Sequence, residues 1–80
     1  MTVSVLFFGV SSDLSGSSST QMELLESSTV STFRESLKNT FPRLKNLSDF
    51  AIAVNEEYAN DNDLISDGDE IAVLPPVSGG

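Results

Sequence analysis

The chain contains no cysteine and no histidine. Without cysteine no disulfide supports the fold and no thiolate-based metal site can form. Without histidine the commonest general base is missing, and any metal site has to be all-oxygen. Basic residues are scarce: four stand against twelve acidic ones, for a net charge of −8. Such a chain repels phosphate backbones, so nucleic acid is a poor partner. It favours encounter with a basic surface. Acidity also keeps a small protein in solution, so charge alone assigns no function. No apolar stretch approaches the roughly 20 residues of a membrane span. No basic region precedes the apolar run that starts at Val3, so no targeting signal is read and the expected location is cytoplasmic, without a membrane partner. Asn46-Leu47-Ser48 matches a glycosylation acceptor. In the absence of a secretion signal it is taken as a chance match.

What remains is one small domain of 80 residues, with a small core. Val3 to Phe8 reads as a first strand, with Val3, Val5 and Phe7 on the core face and Ser4, Leu6 and Phe8 on the other. Val10 to Thr20 is serine-rich and punctuated by Gly9 and Gly16. It reads as a loop or turn with at most a short helical piece around Asp13. Gln21 to Leu25 reads as a second strand, antiparallel to the first.

Thr29 to Thr40 carries the clearest helical pattern, with Val30, Phe33, Leu37 and Phe41 on one face. Thr29 is the expected N-cap. Thr32 and Glu35 offer a later capping-box register, but the apolar pattern favours the earlier start. Pro42 ends the helix. Leu44 to Ser48 is an irregular connection with room for a helical turn. Phe50 to Val54 is a third strand, with Phe50, Ile52 and Val54 on one face. Asn55-Glu56-Glu57 turns the chain into a short strand at Tyr58-Ala59. Asp67-Gly68-Asp69 is a turn. Glu70 to Leu74 is the last strand, with Ile71 and Val73 inward, and Pro75 stops it. This order predicts an α+β fold of the β-grasp type. It has a mixed sheet of four to five strands, with the first and last strands parallel at its centre and one main helix across it.

Most catalytic readings fail on detail. In the acidic segment Asp61 to Glu70, a calcium loop started at Asp61 puts Ser66 at the glycine position. Started at Asp63, it puts Ile65 and Leu74 where oxygens are needed. No histidine or cysteine is present to complete a nucleophilic triad. Glycine-rich phosphate loops and zinc spacings are absent. The body reads as a carrier or binding module.

The last six residues, Pro75-Pro76-Val77-Ser78-Gly79-Gly80, read differently. Two prolines favour an extended path. Two glycines finish the chain without side chains. Six extended residues reach roughly 20 Å. Residues 1–74 are therefore read as the domain and residues 75–80 as a tail that presents the carboxylate of Gly80.

Asp67-Gly68-Asp69-Glu70-Ile71-Ala72-Val73-Leu74-Pro75-Pro76-Val77-Ser78-Gly79-Gly80 resembles the ending of the molybdopterin synthase small subunits (MoaD type). Val5-Leu6-Phe7-Phe8, Thr29-Val30 and Ala53-Val54-Asn55 are similar to the same family in the same order. The resemblance implies the ubiquitin-like fold and a thiocarboxylate at Gly80. An E1-like activating enzyme would spend ATP to adenylate that carboxylate, and sulfur would then replace one oxygen. The chain itself would bind no cofactor. A larger MoaE-type subunit would receive the tail and pass sulfur to a cyclic pyranopterin monophosphate. The expected assembly is a heterotetramer with two copies of this chain. Gly79 and Gly80 suit a tail that threads two enzymes, because a missing Cβ permits close backbone approach. A sulfur carrier for thiazole synthesis and a ubiquitin-like protein modifier share the terminal Gly-Gly and remain alternatives.

Alternation along the strands turns Leu6, Phe8, Ala72 and Leu74 away from the core, and Tyr58 is expected to join them. Together they make a candidate partner interface at the tail's root. Scattered surface hydrophobes are the competing reading.

Overall fold

The computed structural model describes residues 1–46 and 49–76. The element order is β1 (Thr2–Phe7), α1 (Val10–Ser15), β2 (Ser19–Glu23), α2 (Val30–Thr40), a 3₁₀ helix (Pro42–Asn46), β3 (Ala51–Val54), β4 (Glu57–Tyr58) and β5 (Glu70–Leu74). The strands form one five-stranded sheet in the order β2-β1-β5-β3-β4. β1 and β5 run parallel at its centre, and every other pairing is antiparallel. This is the expected β-grasp arrangement, with five strands and one main helix. The glycosylation-like Asn46-Leu47-Ser48 extends outside the described residues.

The core sits between the inner sheet face and α2. Val3, Val5 and Phe7 of β1 face inward with Ile71 and Val73 of β5 and Ile52 of β3. From α2, Val30, Phe33 and Leu37 meet them, and Leu44 of the 3₁₀ helix closes one end. Phe41 is half-buried, its ring edge-to-face with Phe7 at 5.3 Å. Helix α2 begins where the pattern placed it. The Thr29 hydroxyl accepts the Thr32 amide at 3.3 Å, so one orphan donor of the first turn is satisfied. Thr32 therefore lies inside the helix, and the later capping-box register is not used.

Several boundaries differ from the sequence reading. β1 ends at Phe7, yet the Phe8 amide still donates to Val73 O at 3.2 Å. β2 starts at Ser19, inside the stretch expected to be loop, and ends before Leu24. Strand pairing with β1 recruits Ser19 and Thr20 despite their polarity, because the edge of the sheet faces solvent. β4 is Glu57–Tyr58, one residue earlier than expected. The reason is a two-residue hairpin loop: Val54 pairs with Glu57, and both Asn55 and Glu56 take positive φ, 50° and 72°. Two positive φ values define a type I′ turn, which matches the twist of the strands and favours Asn-Gly. Glu56 bears the steric cost that glycine would avoid. Glu56→Gly is expected to raise unfolding stability by about 0.5–1 kcal/mol, seen as a higher urea midpoint with an unchanged slope.

The serine-rich segment holds the short helical piece expected around Asp13: α1, Val10–Ser15, six residues long. Serine is a weak helix former because its hydroxyl competes for backbone groups. Here the hydroxyls bond back along the same turn: Ser11 to Phe8 O, Ser12 to Gly9 O and Ser15 to Ser12 O. Gly16 closes the helix in the left-handed region at φ 80°, its amide on Ser12 O, as a C-terminal glycine does.

Candidate functional site

The site is built at the end of the sheet where β5 runs into the prolines. Register places its outer-face residues in rows. Leu6 of β1 lies opposite Ala72 of β5, Ala72 opposite Ala53 of β3, and Ala53 opposite Tyr58 of β4. One step toward the tail, Leu74 lies opposite Ala51, and Phe8 follows Leu6 on the same face. Leu6, Phe8, Ala72 and Leu74, singled out by alternation, thus share one face of the sheet, and Tyr58 joins them through its pairing with Ala53. Tyr58 is 80% exposed and Phe8 47%; Leu6 and Leu74 are half-buried. Sequence reasoning missed the contribution of β3. Ala51 and Ala53 carry too little side chain to announce a face, and Ala53 is buried between its two cross-strand neighbours.

The opposite end of the same face is polar. Ser4 lies opposite Gln21 and Glu70, and Thr2 opposite Glu23. All four basic residues, Arg34, Lys38, Arg43 and Lys45, lie on α2 and the 3₁₀ helix, so every formal side-chain charge on the strands is negative. The acidic segment after β4 works as turn scaffolding. Asp63 accepts the Asn60 amide, Asp69 accepts the Ser66 amide and the Asn55 side chain, and Asp67 accepts the Thr2 amide.

An open groove of about 520 Å³ adjoins the apolar rows. Tyr58, Leu74, Pro75 and Pro76 supply apolar lining; Arg34 and Asp49 supply charge. Arg34 is mostly covered and holds three contacts. Its Nε donates to Asp61 at 3.0 Å, its Nη1 donates to Phe50 O, and its guanidinium stacks on the Phe50 ring at 5.1 Å. It ties α2 to the start of β3 and so fixes one wall of the groove. Arg34→Ala is expected to cost about 2 kcal/mol, chiefly through the charged bond to the Phe50 carbonyl. The exposed pair with Asp61 adds little. A lower midpoint in urea denaturation checks this.

The tail's root is seated on the body. Pro75 lies over Gly9, close enough that a Cβ on Gly9 would sit 3.1 Å from Pro75 Cγ. Gly9, remote from the tail in sequence, therefore stands beside Pro75 in space. The parallel pairing of β1 with β5 is the physical cause, because it brings the ends of both strands to the same edge. Val77, Ser78, Gly79 and Gly80 lie outside the described residues, so the expected reacting group is not part of this geometry.

A β-grasp body with an apolar outer face and a proline-led C-terminus defines the class of ubiquitin-like proteins. Within it, the chain belongs to the ThiS family, whose model matches residues 5–80. It is 33% identical over 79 residues to the molybdopterin synthase sulfur carrier subunit of Arabidopsis thaliana, covering 98% of this chain and 82% of that one. Among solved structures it is similar to a putative molybdopterin converting factor subunit 1 from Pyrococcus furiosus. That match has a TM-score of 0.89 and 29% identity, over 96% of this chain and 99% of the other. It is also similar to a chain in the complex of subunits 1 and 2 of the molybdopterin-converting factor from Helicobacter pylori. There the TM-score is 0.71 and the identity 33%, with both chains fully covered.

Proposed function

We propose that this chain is the sulfur-carrying small subunit of a molybdopterin synthase and that Gly80 carries the sulfur. The observation that carries the reading is the near full-length likeness to a molybdopterin synthase sulfur carrier subunit. The Gly-Gly terminus behind two prolines supports it.

The chemistry follows from the weakness of a carboxylate as an electrophile. An E1-like enzyme joins the Gly80 carboxylate to the AMP part of ATP and releases pyrophosphate. A sulfide-level donor then attacks the acyl carbon, AMP leaves, and a thiocarboxylate remains. In the large subunit the thiocarboxylate sulfur attacks a carbon of the pterin precursor, a carbon–oxygen bond at that carbon breaks, and the oxygen leaves on the displaced hydroxyl or phosphate group. Water cleaves the acyl–sulfur bond, and its oxygen restores the carboxylate. Two such rounds supply the two sulfurs of a dithiolene. This chain contributes the carried atom, a thin path for it and a docking face made of Leu6, Phe8, Tyr58 and Leu74. Pro75, Pro76, Val77 and Ser78 span the distance between that face and the Gly79-Gly80 end. The likeness to the Helicobacter pylori complex favours a large-subunit partner. Two small subunits on a large-subunit dimer complete the proposed assembly, which works in the cytoplasm.

The test is to co-express the chain with the activating enzyme and a sulfur source, then measure its intact mass. Exchange of one oxygen for sulfur is expected. Ladders on other proteins would instead identify a protein modifier. Adding the large subunit and the cyclic precursor should then yield molybdopterin; no turnover from a verified thiocarboxylate would refute the assignment.

A further inference from the structure

We infer that Gly9 and Ser11 are positioning residues: the junction of β1 and α1 forms a seat that sets the direction in which the tail leaves the sheet. The inference rests on the sulfur-carrier reading for its consequence, but its geometry stands on the body alone. Val73 is the last fully buried residue before the tail. Its carbonyl accepts the Phe8 amide at 3.2 Å and has the Ser11 hydroxyl at 3.4 Å. That same hydroxyl donates to Phe8 O at 2.5 Å, and Ser11 has no exposed surface. The Phe8 amide thus ties the strand end that precedes the tail to the strand end that precedes α1, and the buried Ser11 hydroxyl, donating to Phe8 O, packs against both carbonyls.

Gly9 completes the seat. Its φ of 57° and ψ of −137° belong to a region essentially reserved for glycine. The missing Cβ leaves the space that the Pro75 ring occupies, with Cγ at 3.1 Å and Cδ at 3.9 Å from where a Cβ would stand. Proline at 75 has no amide to extend the ladder and a fixed φ. The tail's direction is therefore set by ring packing on Gly9 and by the hold on the Val73 carbonyl.

The leverage is large. Five residues beyond Pro75, when extended, reach about 17 Å. A tilt of about 10° at the root then moves the reacting atom by about 3 Å, and misplacement of about 1 Å already costs as much as a hundredfold in rate. A residue with no contact to the substrate can thereby govern transfer.

The experiment uses the full chain with its thiocarboxylate made by sulfide cleavage of an intein fusion, which bypasses the activating enzyme. Gly9→Val and Ser11→Ala are compared with wild type in the presence of the large subunit and the pterin precursor. Single-turnover transfer by Gly9→Val is expected to slow by at least about tenfold, while the Kd for the large subunit stays within about twofold. Ser11→Ala is expected to fall between the two. Pro75→Gly removes the ring from outside the core and is expected to reproduce the slowing, which covers the case of a Gly9→Val chain that does not fold. A second readout is independent of sulfur. The chain has no native cysteine, so cysteines introduced at Ser78 and Glu35 take spin labels at unique positions. Loss of the seat is expected to shift or broaden their distance distribution. Wild-type rates and distances from folded Gly9→Val or Pro75→Gly chains would overturn the inference. A wild-type thiocarboxylate that transfers no sulfur would instead remove the carrier reading, and the label distances would still decide the seat.

Discussion

Deletion of Gly80 is expected to abolish sulfur loading and to leave thermal unfolding of the domain unchanged. The shortened chain ends in the carboxylate of Gly79, about 3.5 Å short of the reacting position. Adenylation needs the carboxylate in line with the α-phosphorus of ATP, and a displacement of that size exceeds what a positioned reaction tolerates. A loss of at least about a hundredfold in loading rate follows. The fold has no stake in the deletion: among the described residues the last buried one is Val73, and β5 ends at Leu74. Intact mass after incubation with the activating enzyme, ATP and a sulfur donor reads the first half; scanning calorimetry reads the second. Ordinary sulfur uptake by the shortened chain would rule out Gly80 as the carried-atom site.

The second large effect lies on the outer sheet face. Phe8→Glu and Leu74→Glu are each expected to weaken binding to the large subunit by about thirtyfold or more, equivalent to about 2 kcal/mol. Both side chains point away from the core that Phe7 and Val73 fill, so a carboxylate there meets water in the free chain. In the complex it would be buried against an apolar surface without a partner, and that desolvation is the cost. Titration calorimetry with the purified large subunit measures the affinity, and circular dichroism verifies the fold. Unaltered affinity in both variants would move the docking surface elsewhere on the molecule.

The two effects separate the two parts of the protein. Gly80 variants are expected to fail at loading and still dock. Sheet-face variants are expected to bind the large subunit weakly even when a thiocarboxylate is supplied chemically. Variants of the seat proposed at Gly9 and Ser11 are expected to change the rate of transfer at fixed affinity.

Much of the body was legible because its signals are local. Helix α2 announces itself through Val30, Phe33 and Leu37, which only a period near 3.6 brings to one face, and through a threonine able to cap it. Strand β5 is bounded by a glycine turn and a proline, each of which acts on its own backbone. Two-residue alternation in β1 and β5 sorted core from outer face correctly. The proposal for Gly80 rests likewise on the sequence itself, on Gly79-Gly80 behind Pro75-Pro76.

Tertiary structure decided what depends on which strand ends meet. Nothing near Gly9 in sequence marks it as a neighbour of Pro75; the parallel pairing of β1 and β5 does. The same pairing set the buried Ser11 hydroxyl, which donates to Phe8 O, against the Val73 carbonyl. Ala51 and Ala53 joined the apolar face only through their opposites on β5 and β4, because alanine has no side chain long enough to signal a side by itself. The amino-acid order alone marked the main helix, the two central strands and which of their faces is core. The fold determined the surface from which the tail starts, since pairing and register are long-range choices settled by burial of the whole core.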